Sequence, residues 1–193
     1  NSGTDCEVPF RKKLKDLSDD VCPVVKDRRT GAEFPVLAAL VDHKLKELDY
    51  KLAVSHEVEF IGYNHPDGKR TYLRSLCFVL QNAVRRIYPD KVLIINHSLP
   101  SGLYCTICEK EPLEDGRRAV HELDDKALAE LKGEMRSIVS ADLPFTKVKM
   151  EAAAAEELFL ANGQPDKAAL LKSLGMLICS VYYLDGQADT FHG

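Results

Sequence analysis

Cys105-Thr106-Ile107-Cys108 has the two-thiol spacing used to grip a metal or to form a redox pair. A structural zinc site needs four ligands, usually a second such pair, and the sequence has none. On a strand the two thiols would also point to opposite faces. Ordinary strand packing is therefore expected, and no residue is assigned to a metal. The six histidines are His43, His56, His65, His97, His121 and His192. No two stand at helical ligand spacing, and there is no His-Glu-x-x-His. A Gly-x-Ser-x-Gly elbow, a Gly-x-x-x-x-Gly-Lys-Ser/Thr loop and a Gly-x-Gly-x-x-Gly turn are all missing, so neither an α/β-hydrolase nucleophile nor a self-sufficient phosphate cradle is supported. The most suggestive polar cluster is Asn96-His97-Ser98 with Ser101-Gly102-Leu103-Tyr104. His97 and Ser98 could hydrogen-bond a ligand there. Equally, Asn96 and Ser98 could satisfy the backbone of a turn. The basic run Arg11, Lys12, Lys13, Lys15 is read as a solvated face rather than a phosphate contact.

These residues need elements to hold them. Residues 1–30 are poorly patterned. Val36 to Val41 and Val58 to Ile61 read as short strands. Asn64-His65-Pro66-Asp67-Gly68 is dense in turn residues and reads as a linker. Leu73, Leu76, Cys77, Leu80, Val84 and Ile87 recur at three- and four-residue steps and predict a helix that Pro89 ends. Val92 to Ile95 and Leu103 to Cys108 read as a hairpin, and Glu109 to Arg118 as a loop. Asp124 is a good cap for a helix carrying Leu128, Leu131, Met135, Ile138 and Val139. A third helix runs from Glu151 to Leu160 and a fourth follows Pro165. Leu177 to Leu184 is a strand, closed by an Asp185-Gly186 turn.

The fold class is therefore α+β, in two small domains, 1–63 and 64–193. The 193 residues carry 26 Lys+Arg against 30 Asp+Glu, a formal net charge of −4. That counts mildly against a protein built mainly to grip nucleic acid, without excluding a local basic patch. No apolar run reaches the roughly 20 residues a spanning helix needs, and Asn1-Ser2-Gly3-Thr4-Asp5 is not a signal peptide. With six scattered cysteines, reduced thiols and a cytoplasmic location are expected, with no membrane partner.

Phe34 to Gly62 resembles the TGS domain, a ubiquitin-like β-grasp module of threonyl-tRNA synthetases. The phrase is Ala39-Leu40-Val41, the turn Asp42-His43, then Lys44 to Asp49. The following residues resemble the editing-type second domain of those synthetases. Tyr72 to Leu80, Gly102-Leu103-Tyr104-Cys105, Ile138 to Phe145, Glu156 to Phe159, Asp166-Lys167 and Tyr182 to Gly193 carry that likeness. The resemblance implies His-x-x-x-His on the first long helix, but Arg74 and Phe78 stand there. The family's later cysteine aligns with Phe191, its histidine would fall past the chain end, and His192 is one position off. Arginine is a permanent cation and phenylalanine offers no donor atom, so the hydrolytic chemistry looks lost.

Arg74-Ser75-Leu76-Cys77-Phe78-Val79-Leu80, His97-Ser98-Leu99 with Gly102, Tyr104 and Cys105, and Tyr183 to Gly186 are also similar to nucleoside (uridine) kinase-like proteins bearing such N-terminal domains. That resemblance implies a truncated chain, a non-catalytic accessory region without a cofactor of its own. Its partner would be a C-terminal P-loop kinase domain using ATP and Mg, with a homo-oligomer possible. The cleft candidates are Arg74, His97, Ser98 and Tyr104, with no catalytic residue and no metal ligand. Arg74 would meet an anion there or simply form an internal ion pair. Two other functions compete: an aminoacyl-tRNA-editing hydrolase, for which His97 is the only base near the cleft, and a tRNA- or RNA-binding module without chemistry.

Overall fold

The computed structural model describes residues 4–100 and 102–191. Ser101 and His192, both named above, lie outside them. The elements are α1 (Leu14–Val21), β1 (Val24–Lys26), β2 (Glu33–Pro35), β3 (Ala38–Val41), β4 (Lys44–Lys46), β5 (Val58–Ile61), α2 (Pro66–Ile87), β6 (Lys91–Leu99), β7 (Gly102–Pro112), β8 (Arg118–His121), α3 (Asp125–Ser140), β9 (Thr146–Glu151), α4 (Ala152–Ala161), α5 (Pro165–Leu174), β10 (Ile178–Leu184) and β11 (Gln187–Asp189). Helices and small sheets mix along the chain, and every strand pairing is antiparallel. Two compact units result, residues 1–75 and 76–193.

In the first unit the expected strand–turn–strand phrase forms. Asp42 and His43 both adopt positive φ, +48° and +63°, so the two-residue link between β3 and β4 follows the strand twist. β3 is the centre of the sheet β4-β3-β5. Its Ala39 and Val41 pack with Leu52 against Leu14 and Leu17 of α1. That helix was not legible within residues 1–30, because only Leu14, Leu17 and Val21 mark its apolar side. The nearby lysines pair locally, Lys12 with Asp20, Lys13 with Asp49 at 2.7 Å and Lys15 with Asp19 at 2.5 Å. Asp42 also holds the approach to β5. One carboxylate oxygen accepts the Glu57 N–H at 3.0 Å and the other lies 2.6 Å from His56 Nδ1.

The linker reading of residues 64–68 is corrected. Pro66 opens α2, where its missing N–H costs nothing, and Asp67 favours the positive helix end. Pro66, Asp67 and Gly68 belong to the first turn of the helix, while Asn64 and His65 turn the chain into it. Gly68 lies so close to Gly62 that a Cβ there would sit 1.9 Å from the Gly62 carbonyl oxygen.

In the second unit, β6, β7 and β8 form one sheet and β9, β10 and β11 another. The loop expected over 109–118 is shorter than the sequence implied. β7 runs to Pro112 and a tight turn returns the chain as β8, because cross-strand pairing overrides the polar character of Glu109 to Pro112. Between β6 and β7 the register slips at Asn96, whose amide donates to Thr106 Oγ1 at 3.0 Å. One core gathers Phe78, Ala83, Val84, Ile107, Leu131, Ile138 and Leu184. A second gathers Ala155, Phe159, Leu171, Cys179, Val181 and Ala188. Asp124 caps α3 by accepting the Ala127 N–H at 2.7 Å. No helix among the described residues is long and apolar enough to cross a membrane.

Candidate functional site

Of the four residues singled out from sequence, three share one hairpin and the fourth belongs to the other unit. Arg74 is half-buried on α2 in the first unit. His97, Ser98 and Tyr104 are exposed on the β6–β7 hairpin of the second. The hairpin register sets His97 opposite Tyr104, and their rings lie 5.1 Å apart at 32°. Cys105 is half-buried and Cys108 buried, and all six cysteines are free thiols. Burial pushes the thiols of Cys77, Cys105 and Cys179 above their ordinary value, away from thiolate reactivity.

The two phenylalanines that depart from the synthetase pattern do meet. Phe78 is fully buried, and its ring lies 5.7 Å from Phe191 at 74° and 5.9 Å from Phe145. Tyr182 closes the other side of Phe191 at 5.2 Å. Two of the positions expected to supply ligands, 78 and 191, instead meet edge to face as phenylalanines, whose rings have no donor atom to ligate a metal ion or activate water. Among the described residues no three His, Cys, Asp or Glu side chains could hold a metal ion.

Along the same helix lies a different site. Gln81 and Arg85 are one turn apart on α2, so they share a face. With β6, the α4–α5 turn, Arg118 and Gln187 they border a cleft of about 460 Å³. Five cationic side chains line it, Arg85, Lys91, Lys110, Arg118 and Lys167, against one carboxylate, Asp166. In a chain of net charge −4 this is a strong local reversal of sign. Arg85 donates to Gln187 Oε1 at 2.5 Å, so its nearest bonded partner is a neutral amide. Lys167 is paired with Asp189, which is buried and also accepts the Thr190 N–H at 2.6 Å. Burial holds the Arg85 guanidinium below its ordinary value. It does the same to the Lys167 ammonium, against the opposing pull of Asp189. Arg118 reaches Asp166 at 3.5 Å, and Lys91 bonds Glu109 at 2.7 Å.

None of Arg74, His97, Ser98 and Tyr104 lines this cleft. Tyr104 borders a second, apolar recess of about 390 Å³ with Leu80, Ile107 and Leu131. The cleft residues escaped sequence reading because Lys167 and Asp189 stand 22 positions apart, and no spacing rule joins them.

No family model matches the chain. It is similar to threonine–tRNA ligases. The one from Desulforamulus reducens is 28% identical over 154 residues, 80% of this chain and 23% of the relative. The one from Desulfovibrio desulfuricans is 25% identical over 180 residues, 91% of this chain and 26% of the relative. The one from Natranaerobius thermophilus is 30% identical over 128 residues, 66% of this chain and 19% of the relative. The chain thus spans about a quarter or less of the curated relatives it matches, and what it resembles over most of its own length is a part of threonine–tRNA ligases.

Proposed function

We propose that this chain is a threonyl-tRNA synthetase-like module of the editing type that binds RNA without hydrolysing it. The observation that carries the reading is the cationic cleft, five positive side chains around about 460 Å³ in an acidic chain. A polyanion is the ligand such a surface selects, because neutralised phosphates release their counterions. The relatives' printed name, threonine–tRNA ligase, supports RNA as that polyanion. The aromatic cluster of Phe78, Phe145 and Phe191 argues against ester hydrolysis at the positions where the resemblance implied imidazole and thiol. His97 stands on the β6–β7 hairpin and lines no part of the cationic cleft. In this proposal the first unit is the TGS-like β-grasp module, its support being the strand–turn–strand of β3 and β4. The relatives named here are ligases and lend nothing to a nucleoside-kinase accessory role, so the ATP, Mg and kinase-domain partner of that reading are not carried forward.

Fluorescence anisotropy with labelled tRNA between about 50 and 200 mM salt tests the proposal. Affinity should fall steeply with salt, as expected when several phosphates are contacted. Lys110→Glu with Arg118→Glu should weaken binding about tenfold or more. Binding that ignores both salt and charge reversal, or no binding, overturns it. Release of amino acid from mischarged tRNA above the buffer rate would overturn its non-hydrolytic half.

A further inference from the structure

Arg85 and Arg86 are consecutive on α2, and together they grip one turn from both ends. Arg86 donates to Asp185, the first residue of the β10–β11 turn. Arg85 donates to Oε1 of Gln187, the first residue after that turn, at 2.5 Å. The other arm of the Arg86 guanidinium donates to Glu134 on α3 at 2.5 Å. Asp185 and Glu134 hold that guanidinium above its ordinary value. One planar fork thus ties three elements, because its several N–H groups serve two carboxylates at once. Neither Arg86 nor either carboxylate lines the cationic cleft. What they hold does. The strand β11 has only three residues and pairs with β10 alone, yet it carries Gln187 to the cleft and Asp189 to Lys167. Its turn keeps Asp185 at a φ of +50°, a region that side chains other than glycine usually avoid.

We propose that Arg86 is a positioning residue for the cleft. By bridging Glu134 of α3 and Asp185 of the β10–β11 turn, it fixes β11 so that Gln187 and Asp189 meet Arg85 and Lys167. This rests on the RNA-binding reading of that cleft and names what sets its wall. The three side chains are partly exposed, and ion pairs of that kind contribute little to stability. Their consequence is geometric, since a binding site needs its groups held within about 0.5 Å of the productive arrangement. Plain electrostatics and positioning call for opposite signs. Asp185 and Glu134 are negative charges on a chain that takes a polyanion, so neutralising either would raise affinity if charge alone counted. As parts of the clamp, their neutralisation lowers it.

Fluorescence anisotropy of the full chain with labelled tRNA, and hydrogen exchange of the ligand-free protein, test this on Asp185→Asn, Glu134→Gln and Arg86→Met. Asparagine tolerates the positive φ of position 185, and methionine keeps the apolar stem of position 86. Each variant should therefore melt within a few degrees of wild type. Asp185→Asn and Glu134→Gln should each weaken tRNA binding about threefold, although each removes a negative charge. Asp185→Asn should add nothing further in the Arg86→Met background, because both changes break the same contact. Exchange over Gln187–Asp189 should quicken about fivefold in Arg86→Met and in Asp185→Asn, with Val181 unchanged. Unchanged exchange over β11, or tRNA held as tightly or more tightly by Asp185→Asn, overturns the proposal. So does a large loss of melting temperature in all three variants, which would assign the clamp to folding. Salt-sensitive tRNA binding that Asp185→Asn does not weaken sinks this inference alone. Quickened exchange in a wild-type background that binds no tRNA leaves the clamp standing and sinks only the broader reading.

Discussion

Phe78 shows at a single residue why the hydrolytic positions cannot simply be restored. Its ring has no exposure to water and stands among Val84, Leu131, Ile138 and Leu184 as well as the aromatic pair Phe145 and Phe191. Its carbonyl is also occupied, accepting the side-chain amide of the buried Asn82 at 2.9 Å. An imidazole placed there would lose apolar contacts and bury a polar ring with no partner. Phe78→His should therefore destabilise the second unit by about 2 to 4 kcal/mol. A urea titration reads this directly, and an unshifted midpoint would show that the site tolerates a histidine. Lys167 and Asp189 make a different case. As a neutralised buried pair they contribute little net charge to the cleft, and Asp166 and Glu109 offset Arg118 and Lys91, which leaves Arg85 and Lys110 to set most of its potential.

At the scale of elements, α2 does the most organising. Its apolar stripe builds the core of the second unit, while Gln81 and Arg85 on the neighbouring face border the cleft. Its first turn is fixed differently, by close approach of two backbones. Any side chain at Gly68 would drive a carbon to within 1.9 Å of the Gly62 carbonyl oxygen, a main-chain atom that cannot swing aside. Gly68→Ala should cost more than about 2 kcal/mol even though alanine favours helix, because overpacking outweighs propensity here. A melting temperature at or above wild type would contradict that account. The Asp185-Gly186 turn, with φ of +50° and +71°, does similar work at the other end of the chain. It folds β11 back on β10 and so carries Gln187 to the cleft and Asp189 to Lys167.

For the molecule as a whole, electrostatics decide two behaviours. One is the contrast between an acidic chain and a cationic cleft, which underlies the RNA-binding proposal. The other is acid lability. Asp27, Asp42, Asp67, Asp90 and Asp115 are all held below the usual 3.8, chiefly by the Thr30 N–H, the His56 ring, the Arg70 guanidinium, the Asp90 N–H itself and the Arg117 guanidinium, in that order. Between the folded and the unfolded values the unfolded chain binds more protons, so stability rises with pH across that window. The contribution is complete above the unfolded value and is lost as pH falls through the folded ones. These groups are exposed, so each contributes modestly. The thermal midpoint followed by circular dichroism should decline steadily from about pH 5 to about pH 2. A flat profile over that range would show that the paired carboxylates contribute nothing.

Local rules made much of this protein legible from its residues. The three- and four-residue steps of Leu73 to Ile87 identified α2, Asp124 and Pro165 marked where α3 and α5 begin, and Val58 to Ile61 and Leu177 to Leu184 marked strands. The departures at Arg74, Phe78 and Phe191 were also readable, because side-chain chemistry travels with residue type. What sequence could not supply was adjacency. α1 was hidden because two buried leucines, Leu14 and Leu17, suffice to dock so short a helix, and β8 and β9 because polar segments become strands once a partner pairs their backbones. The cleft is the clearest instance. Arg85, Gln164, Lys167, Gln187 and Asp189 come from four separate elements and turns, and each reads as an ordinary surface residue in isolation. Only the tertiary structure, by bringing four half-buried side chains together beside the buried Asp189, made these scattered residues neighbours.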